Sequence, residues 1–346
     1  MNELDVKRGL KRYLQAGRDA LLWKLDGLTD YDMRRPLVPT GTNLLGLVKH
    51  MTGVEAGYLG SVFGHPFPER LPFLDADGEW TDPNADMWAR SEETGHDLVE
   101  LYRKVWQHSD ATIDELPLDA LGSVPHWPED RRDISLQFAV IHVAIDTHRH
   151  AGHADIVREL IDGAVGYRRG TDFPQEWDTD WWAAHRARID RAAHIVMASR
   201  EIAAAAERIF ELIADPAEQP RWDGNDNLRH ADPGQRVRAV GDVFTMRLLR
   251  GGVRDNEVVE FEEGRLIAWR PSPVGKKQPG HLWRWTLEPI DPSRTLVTHT
   301  YDWSALTDRS RFPRAKATTH ERLAASLDRL ATVAEAIAGP DSHKRP

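Results

Sequence analysis

Cysteine is absent from all 346 residues, which removes disulfides, thiolate metal ligands, iron–sulfur clusters and any cysteine nucleophile together. No stretch approaches the ~18 apolar residues of a membrane span. The opening Met1-Asn2-Glu3-Leu4-Asp5-Val6-Lys7-Arg8 also lacks the apolar core of a signal peptide. A cytoplasmic protein with no membrane partner is therefore expected. Clustered basic residues are missing too, which argues against nucleic acid as a partner. No Gly-x-Gly-x-x-Gly, phosphate loop or Gly-x-Ser-x-Gly pattern occurs, and this disfavours nucleotide chemistry and serine hydrolysis.

What is present suggests two pieces. The length exceeds that of a typical single domain, and 40% hydrophobic with 29% charged residues is a globular composition. The formal charge of −10 divides unevenly. Residues 1–165 hold 17 basic and 28 acidic side chains, net −11, whereas 166–346 hold 28 and 27, net +1. A monomer or homodimer suits this composition.

The first piece, 1–165, reads as four helices, a bundle. Leu10, Leu14, Leu21 and Leu25 give the segment from Leu4 to Leu28 one buried face. Thr42 is the expected N-cap of a second helix running through Leu47, Val48, Met51 and Val54 to Phe63. A third is expected over Asn84–Ile113, and a fourth from an Asp133 N-cap to Ile161, closed by Gly163. Residues 166–192 form a Trp-rich connector (Trp177, Trp181, Trp182), expected to pack on the bundle.

Histidine is concentrated on the fourth helix. At about 100° per residue, Ala139, Val143, Asp146, His150, His153 and Val157 share a face, while His148 points away to solvent. Asp146 and His150 are one turn apart, so a carboxylate and an imidazole can converge on one cation. His50, on the inward side of the second helix, is the candidate third ligand. Two His and one carboxylate leave a position open for water or substrate, as in catalytic metal sites. Core histidines satisfied by backbone or carboxylate, with Asp146 paired to Arg149 or Arg158, are the competing arrangement. His142 is a spare ligand candidate; His65, His96, His108 and His126 read as incidental.

Three segments carry a family resemblance. Pro39-Thr40-Gly41-Thr42-Asn43-Leu44-Leu45-Gly46-Leu47-Val48-Lys49-His50, Val62-Phe63-Gly64-His65-Pro66-Phe67-Pro68 and Arg149-His150-Ala151-Gly152-His153-Ala154-Asp155-Ile156 resemble the DinB superfamily, over residues 5 to 185. The resemblance implies a divalent metal, zinc or nickel, held by His50, Asp146 and His150. Members more often carry Glu where Asp146 stands, so the ligand arm is shorter here. His153 then stands behind a metal ligand or on the substrate side, or has a structural role. Characterised relatives imply an S-transferase or isomerase that uses a small thiol such as mycothiol or bacillithiol as cosubstrate. A chain without cysteine would take its nucleophilic sulfur from that thiol. The rival reading is a non-catalytic small-molecule binding or stress-sensing protein with a structural or vestigial metal.

The second piece, 193–340, changes period. A strand from His194 and a helix over Ala205–Ala214 precede alternating runs at Val243–Leu249, Val253–Glu262, Leu266–Arg270, Leu282–Glu288 and Thr295–Trp303, then a long helix from Pro313 to Ile337. That order is α+β. His281, Trp283 and Trp285 fall on one side of their strand, as do His299, Tyr301 and Trp303 on theirs, which predicts either an aromatic cavity or an ordinary core. The segments Ala205–Phe210, Gly241–Phe244, Val258–Phe261, Trp269-Arg270-Pro271 and Thr298–Trp303 are similar to the SRPBCC superfamily, the START-like helix-grip fold. This resemblance implies a hydrophobic small ligand held between sheet and terminal helix, near Phe244, Trp269, Trp283, Trp285, His299, Tyr301 and Trp303. The overall expectation is a multidomain chain, an all-α four-helix bundle followed by an α+β helix-grip domain.

Overall fold

The computed structural model describes residues 3–75, 80–166 and 177–336. Two compact units emerge, Met1–Gln175 and Glu176–Pro346.

The first unit is helical: α1 (Glu3–Trp23), α2 (Asp30–Arg34), α3 (Leu44–Tyr58), α4 (Gly95–Glu115), a small hairpin of β1 (Leu121–Ser123) and β2 (Asp133–Ser135), and α5 (Leu136–Asp162). The four long helices match the apolar periodicity. Leu14, Leu21, Leu44, Leu47, Val48, Met51, Tyr102, Ile113, Ala139 and Val143 join one core cluster. Full burial of each Leu or Val side chain contributes roughly 1.5–3 kcal/mol.

The helix starts differ from expectation where local hydrogen bonding decides. Asn43, not Thr42, caps α3, its side-chain oxygen accepting the Gly46 N–H at 2.8 Å. Helix α4 begins at Gly95, eleven residues later than expected; Asn84 is left-handed (φ 61°) and cannot open a helix, and turns follow it as far as Thr94. Thr94 caps α4 instead, accepting from Asp97. Asp133 lies in β2, paired with Ser123, and Ser135 caps α5. Gly163 closes α5 in the left-handed conformation, as expected.

One buried polar network crosses the bundle core. Arg18 and Glu55 are fully buried and pair through two hydrogen bonds, Nε to Oε1 at 3.0 Å and Nη2 to Oε2 at 2.5 Å. Tyr102 donates to the same carboxylate at 2.9 Å, and Asp110 accepts from Arg18 at 2.9 Å. Every oxygen of the buried carboxylate is thus satisfied, the condition under which such a pair is tolerated.

The second unit opens with α6 (Thr179–Ala193), β3 (Ile195–Ile202), α7 (Ala206–Ala214), α8 (Gln219–Trp222) and β4 (Leu228–His230). Strands β5 (Val243–Leu248), β6 (Val253–Glu262), β7 (Leu266–Pro273), β8 (Leu282–Asp291) and β9 (Arg294–Asp302) follow, then α9 (Phe312–Lys316) and α10 (His320–Ala336). The seven strands form one antiparallel sheet in the order β3-β9-β8-β7-β6-β5-β4. Leu323, Leu327 and Leu330 of α10 share a core with Val258, Ile267, Trp285 and Val297 of the sheet, the helix-grip arrangement.

The expected continuous terminal helix is interrupted between α9 and α10. Thr318 there turns its hydroxyl back to the Arg314 carbonyl, and Thr319 accepts the N–H of Leu323. Of the connector 166–192, residues 167–176 lie outside the described residues. Trp181 stacks on Trp177 and on His185, and α6 falls within the second compact unit. Among the described residues no helix is long and apolar enough to cross a membrane.

Candidate functional site

Helices α3 and α5 bring three donor side chains together. His50 is in the middle of α3; Asp146 and His150, one turn apart, are on α5. One nitrogen or oxygen from each lies within 4.8 Å of the others. His50 Nε2 is 3.7 Å from Asp146 Oδ2, and His150 Nε2 is 3.5 Å from Asp146 Oδ1. Donors at roughly 2.0–2.2 Å around one tetrahedral ion sit about 3.3–3.6 Å apart, so small side-chain shifts bring this set into register.

The other ring nitrogen of each histidine is also engaged. His50 Nδ1 donates to Asp86 Oδ2 at 2.6 Å, and Asp86 is buried. His150 Nδ1 is 3.3 Å from His153 Nδ1, although His153 itself is exposed. Carboxylate support of a histidine's remote nitrogen fixes its tautomer and raises its basicity.

Electrostatics separates the two imidazoles. Burial opposes a proton on His50, but hydrogen bonds to Asp146 and Asp86 outweigh it and push its pKa up to about 9. His150 moves down to about 4, first through burial and then through the neighbouring His50 charge. Asp146 is held below the usual carboxylate range by its hydrogen bond with His50.

The remaining predicted residues take definite places. His142 is not with the donor set: it lies against Tyr58, Trp127 and Phe138, its ring 4.8 Å from Tyr58 and parallel to Phe138. Tyr58 accepts the Trp127 indole N–H at 3.1 Å and contacts His126 at 3.3 Å. Burial raises its hydroxyl pKa. His148, expected in solvent, instead donates to the Tyr13 carbonyl of α1 at 2.9 Å, because the α1–α5 contact reaches round to that face. Arg158 pairs with Asp162 and caps the carbonyls of Lys24 and Asp26, which leaves Asp146 to the histidines.

Asp86 and Tyr58 were not legible as site residues. Asp86 belongs to a loop without periodicity, which α3 holds through the close approach of Met87 to Gly46 and through Asn43 and Lys49, donating to the Met87 and Trp88 carbonyls. A Cβ on Gly46 would meet the Met87 carbonyl oxygen at 1.9 Å, so the loop and α3 touch backbone to backbone.

The second unit holds a pocket of about 480 Å³, open to solvent, between the sheet and α8–α10. Phe244, Trp269, Trp283, Trp285, His299 and Tyr301 line it. Trp303 does not: its ring packs on His194 at 4.1 Å and on Phe312 at 5.5 Å. Trp285 and His299 stack with centroids 3.7 Å apart. Burial takes the His299 pKa down to about 3, so it is neutral in the native protein. Burial likewise pushes the Tyr301 hydroxyl up to about 12.

Comparison with known proteins finds one family match within each compact unit. Residues 9–163 match the family model described as mycothiol-S-transferase, a DinB-like family. Residues 193–335 match that described as polyketide cyclase / dehydrase and lipid transport, of the SRPBCC group. Two uncharacterized proteins of Mycobacterium tuberculosis are each 29% identical to this chain, over 120 and 119 residues, 34% of this chain and 51% of each relative. The chain thus spans about half the length of the curated relatives it matches. Among solved structures, a START superfamily protein from Mycobacterium smegmatis is 17% identical, covering 42% of this chain and 99% of that one, with a TM-score of 0.32. The ZhuI aromatase/cyclase from a Streptomyces species is also 17% identical, covering 42% and 98%, at a TM-score of 0.32.

Proposed function

We propose that this chain, which joins a region matching the mycothiol-S-transferase family to one matching the polyketide cyclase / dehydrase and lipid transport family, is a divalent-metal-dependent enzyme of thiol S-transferase or isomerase type with a small-ligand domain attached. His50, Asp146 and His150 would hold the metal. Imidazole and carboxylate donors suit zinc, and nickel accepts the same set. A divalent metal held there would supply the Lewis acidity that lowers the pKa of a small thiol, giving a cysteine-free protein a sulfur nucleophile from its cosubstrate.

The chain's own residues have separate tasks in this reading. Asp86 fixes the His50 tautomer so that Nε2 faces the other two donors. His153 holds the remote nitrogen of His150. Tyr58, Trp127 and His142 form an aromatic wall, with His142 one turn before Asp146 on α5, suited to an apolar electrophile. In the second unit the aromatic cavity would hold a hydrophobic small ligand.

The observation that carries the proposal is the dual commitment of His50, with a buried carboxylate on Nδ1 and the donor pair beyond Nε2. A carboxylate behind one ring nitrogen while the other faces further donor atoms is the pattern of metal-ligating histidines. Metal analysis of the purified chain tests it, followed by thiol-consumption assays against a panel of electrophiles. Stoichiometric metal lost in His50→Ala, together with thiol consumption lost in parallel, is expected. A metal-free protein that still binds apolar ligands would instead support a non-catalytic binding or sensing role.

A further inference from the structure

The cavity of the second unit is charged with one sign at one end. Arg254 of β6, Arg311 and Arg314 border it beside His281. Among the described residues none has the carboxylate fork that usually neutralises a guanidinium. Arg254 is half-buried, and its side chain hydrogen-bonds only the Val253 carbonyl among the described residues. Arg314 makes no side-chain hydrogen bond or ion pair among them. Arg311 reaches Asp308 through Nε alone, at 3.2 Å.

The carboxylates bordering the same cavity are already used. Asp223 accepts the backbone N–H groups of Asn227 and Leu228, at 2.7 and 2.8 Å. Asp226 pairs with Arg329 at 2.6 Å. Burial first, and then repulsion from Arg311 and Arg314, lowers the pKa of Arg254. Burial followed by the three arginines takes His281 down to about 4, and no carboxylate among the described residues offsets either effect.

The half-buried guanidinium of Arg254 beside an apolar wall is costly to leave uncompensated, the exposed Arg314 adds charge of the same sign, and a guanidinium fork is shaped for carboxylate-like oxygens. We propose that this cavity takes an organic anion, its apolar body against Phe244, Trp269, Trp283 and Tyr301 and its acid group on Arg254, Arg311 and Arg314. The assignment rests on the reading that the cavity holds a small molecule, and adds the charge of that molecule. A volume of about 480 Å³ admits an aromatic or short aliphatic acid.

Fluorescence titration of the full chain with two dyes tests the charge separately from the cavity. One is 8-anilinonaphthalene-1-sulfonate; the other is the neutral N-phenyl-1-naphthylamine, which has the same aromatic body without the acid. The sulfonate is expected to bind at least about tenfold more tightly, an advantage typical of a desolvated charge-assisted contact. Arg254→Gln with Arg314→Gln should erase that margin and leave the amine within about twofold of wild type, while Lys at both positions restores part of it. Equal binding of the two dyes, or a margin intact in the Gln variant, overturns the anion assignment but leaves the cavity reading standing. Failure of both dyes to bind overturns both. Should the double variant fold poorly by circular dichroism, Arg314→Gln alone decides, since Arg314 is exposed and bears no packing load.

Discussion

His50 on α3 donates from Nδ1 to Oδ2 of Asp86 at 2.6 Å, across 36 residues of sequence and from a helix to an irregular loop. The contact aims the ring's other nitrogen at Asp146. Asp86→Asn keeps the volume but removes the charge that orients His50 and raises its basicity. Metal affinity, measured by competition with a chromophoric chelator, should fall about 10–100-fold. Unchanged affinity would mean that Asp86 has no part in the site.

The metal-free bundle should be most stable between the two histidine transitions. His50, raised to about 9, contributes stability that is complete below its unfolded value near 6.5 and is lost as the pH rises through 9. His150, lowered to about 4, is neutral in the folded state while the unfolded chain takes up protons, so stability falls as the pH drops from 6.5 through 4. Thermal unfolding of chelator-treated protein should show the maximum near pH 6.5. Asp86→Asn should flatten the alkaline limb and spare the acid one.

Gly46 is the point where the loop carrying Asp86 rests on α3, with no room for a Cβ beside the Met87 carbonyl. Gly46→Ala should cost about 1–3 kcal/mol in denaturant unfolding, as overpacking does. Metal affinity should fall with it, because displacing the loop withdraws Asp86 from His50. A stable variant with normal metal uptake would refute this coupling.

Arg18 and Glu55 should be individually indispensable to the bundle. Arg18→Ala leaves a carboxylate at zero exposure with Tyr102 as its remaining buried donor, and such a loss costs about 3–5 kcal/mol. Guanidinium unfolding followed by far-ultraviolet circular dichroism measures it. Combining Arg18→Met with Glu55→Leu should cost much less than either single change, since no buried charge is left unpaired and the part-exposed Asp110 keeps Lys11 nearby.

The parts of this protein that repeat were the legible ones. Leu14, Leu21, Leu47 and Val143 lie where helical spacing puts them, and β6 spans Val253–Glu262 as its alternation indicates. Asp146 and His150 could be paired on one face from spacing alone. Short elements escaped: β1 and β2 have three residues each, too few for a period, and Asn43 and Ser135 displaced neighbouring Thr42 and Asp133 as caps through hydrogen bonds that composition does not rank. Trp303 has the alternation of a cavity residue, yet its ring goes to His194 and Phe312.

The amino-acid order by itself settled most of the long helical and strand segments, the two-part organisation and the pairing of Asp146 with His150, because these follow from periodicities over neighbouring residues. Only the tertiary structure decided that Asp86 serves His50, that Arg18 meets Glu55 inside the bundle and that three arginines crowd one end of a cavity. Such contacts depend on how loops and helices far apart in the chain close on one another, where packing and the need to satisfy buried charge act, and no local pattern encodes them.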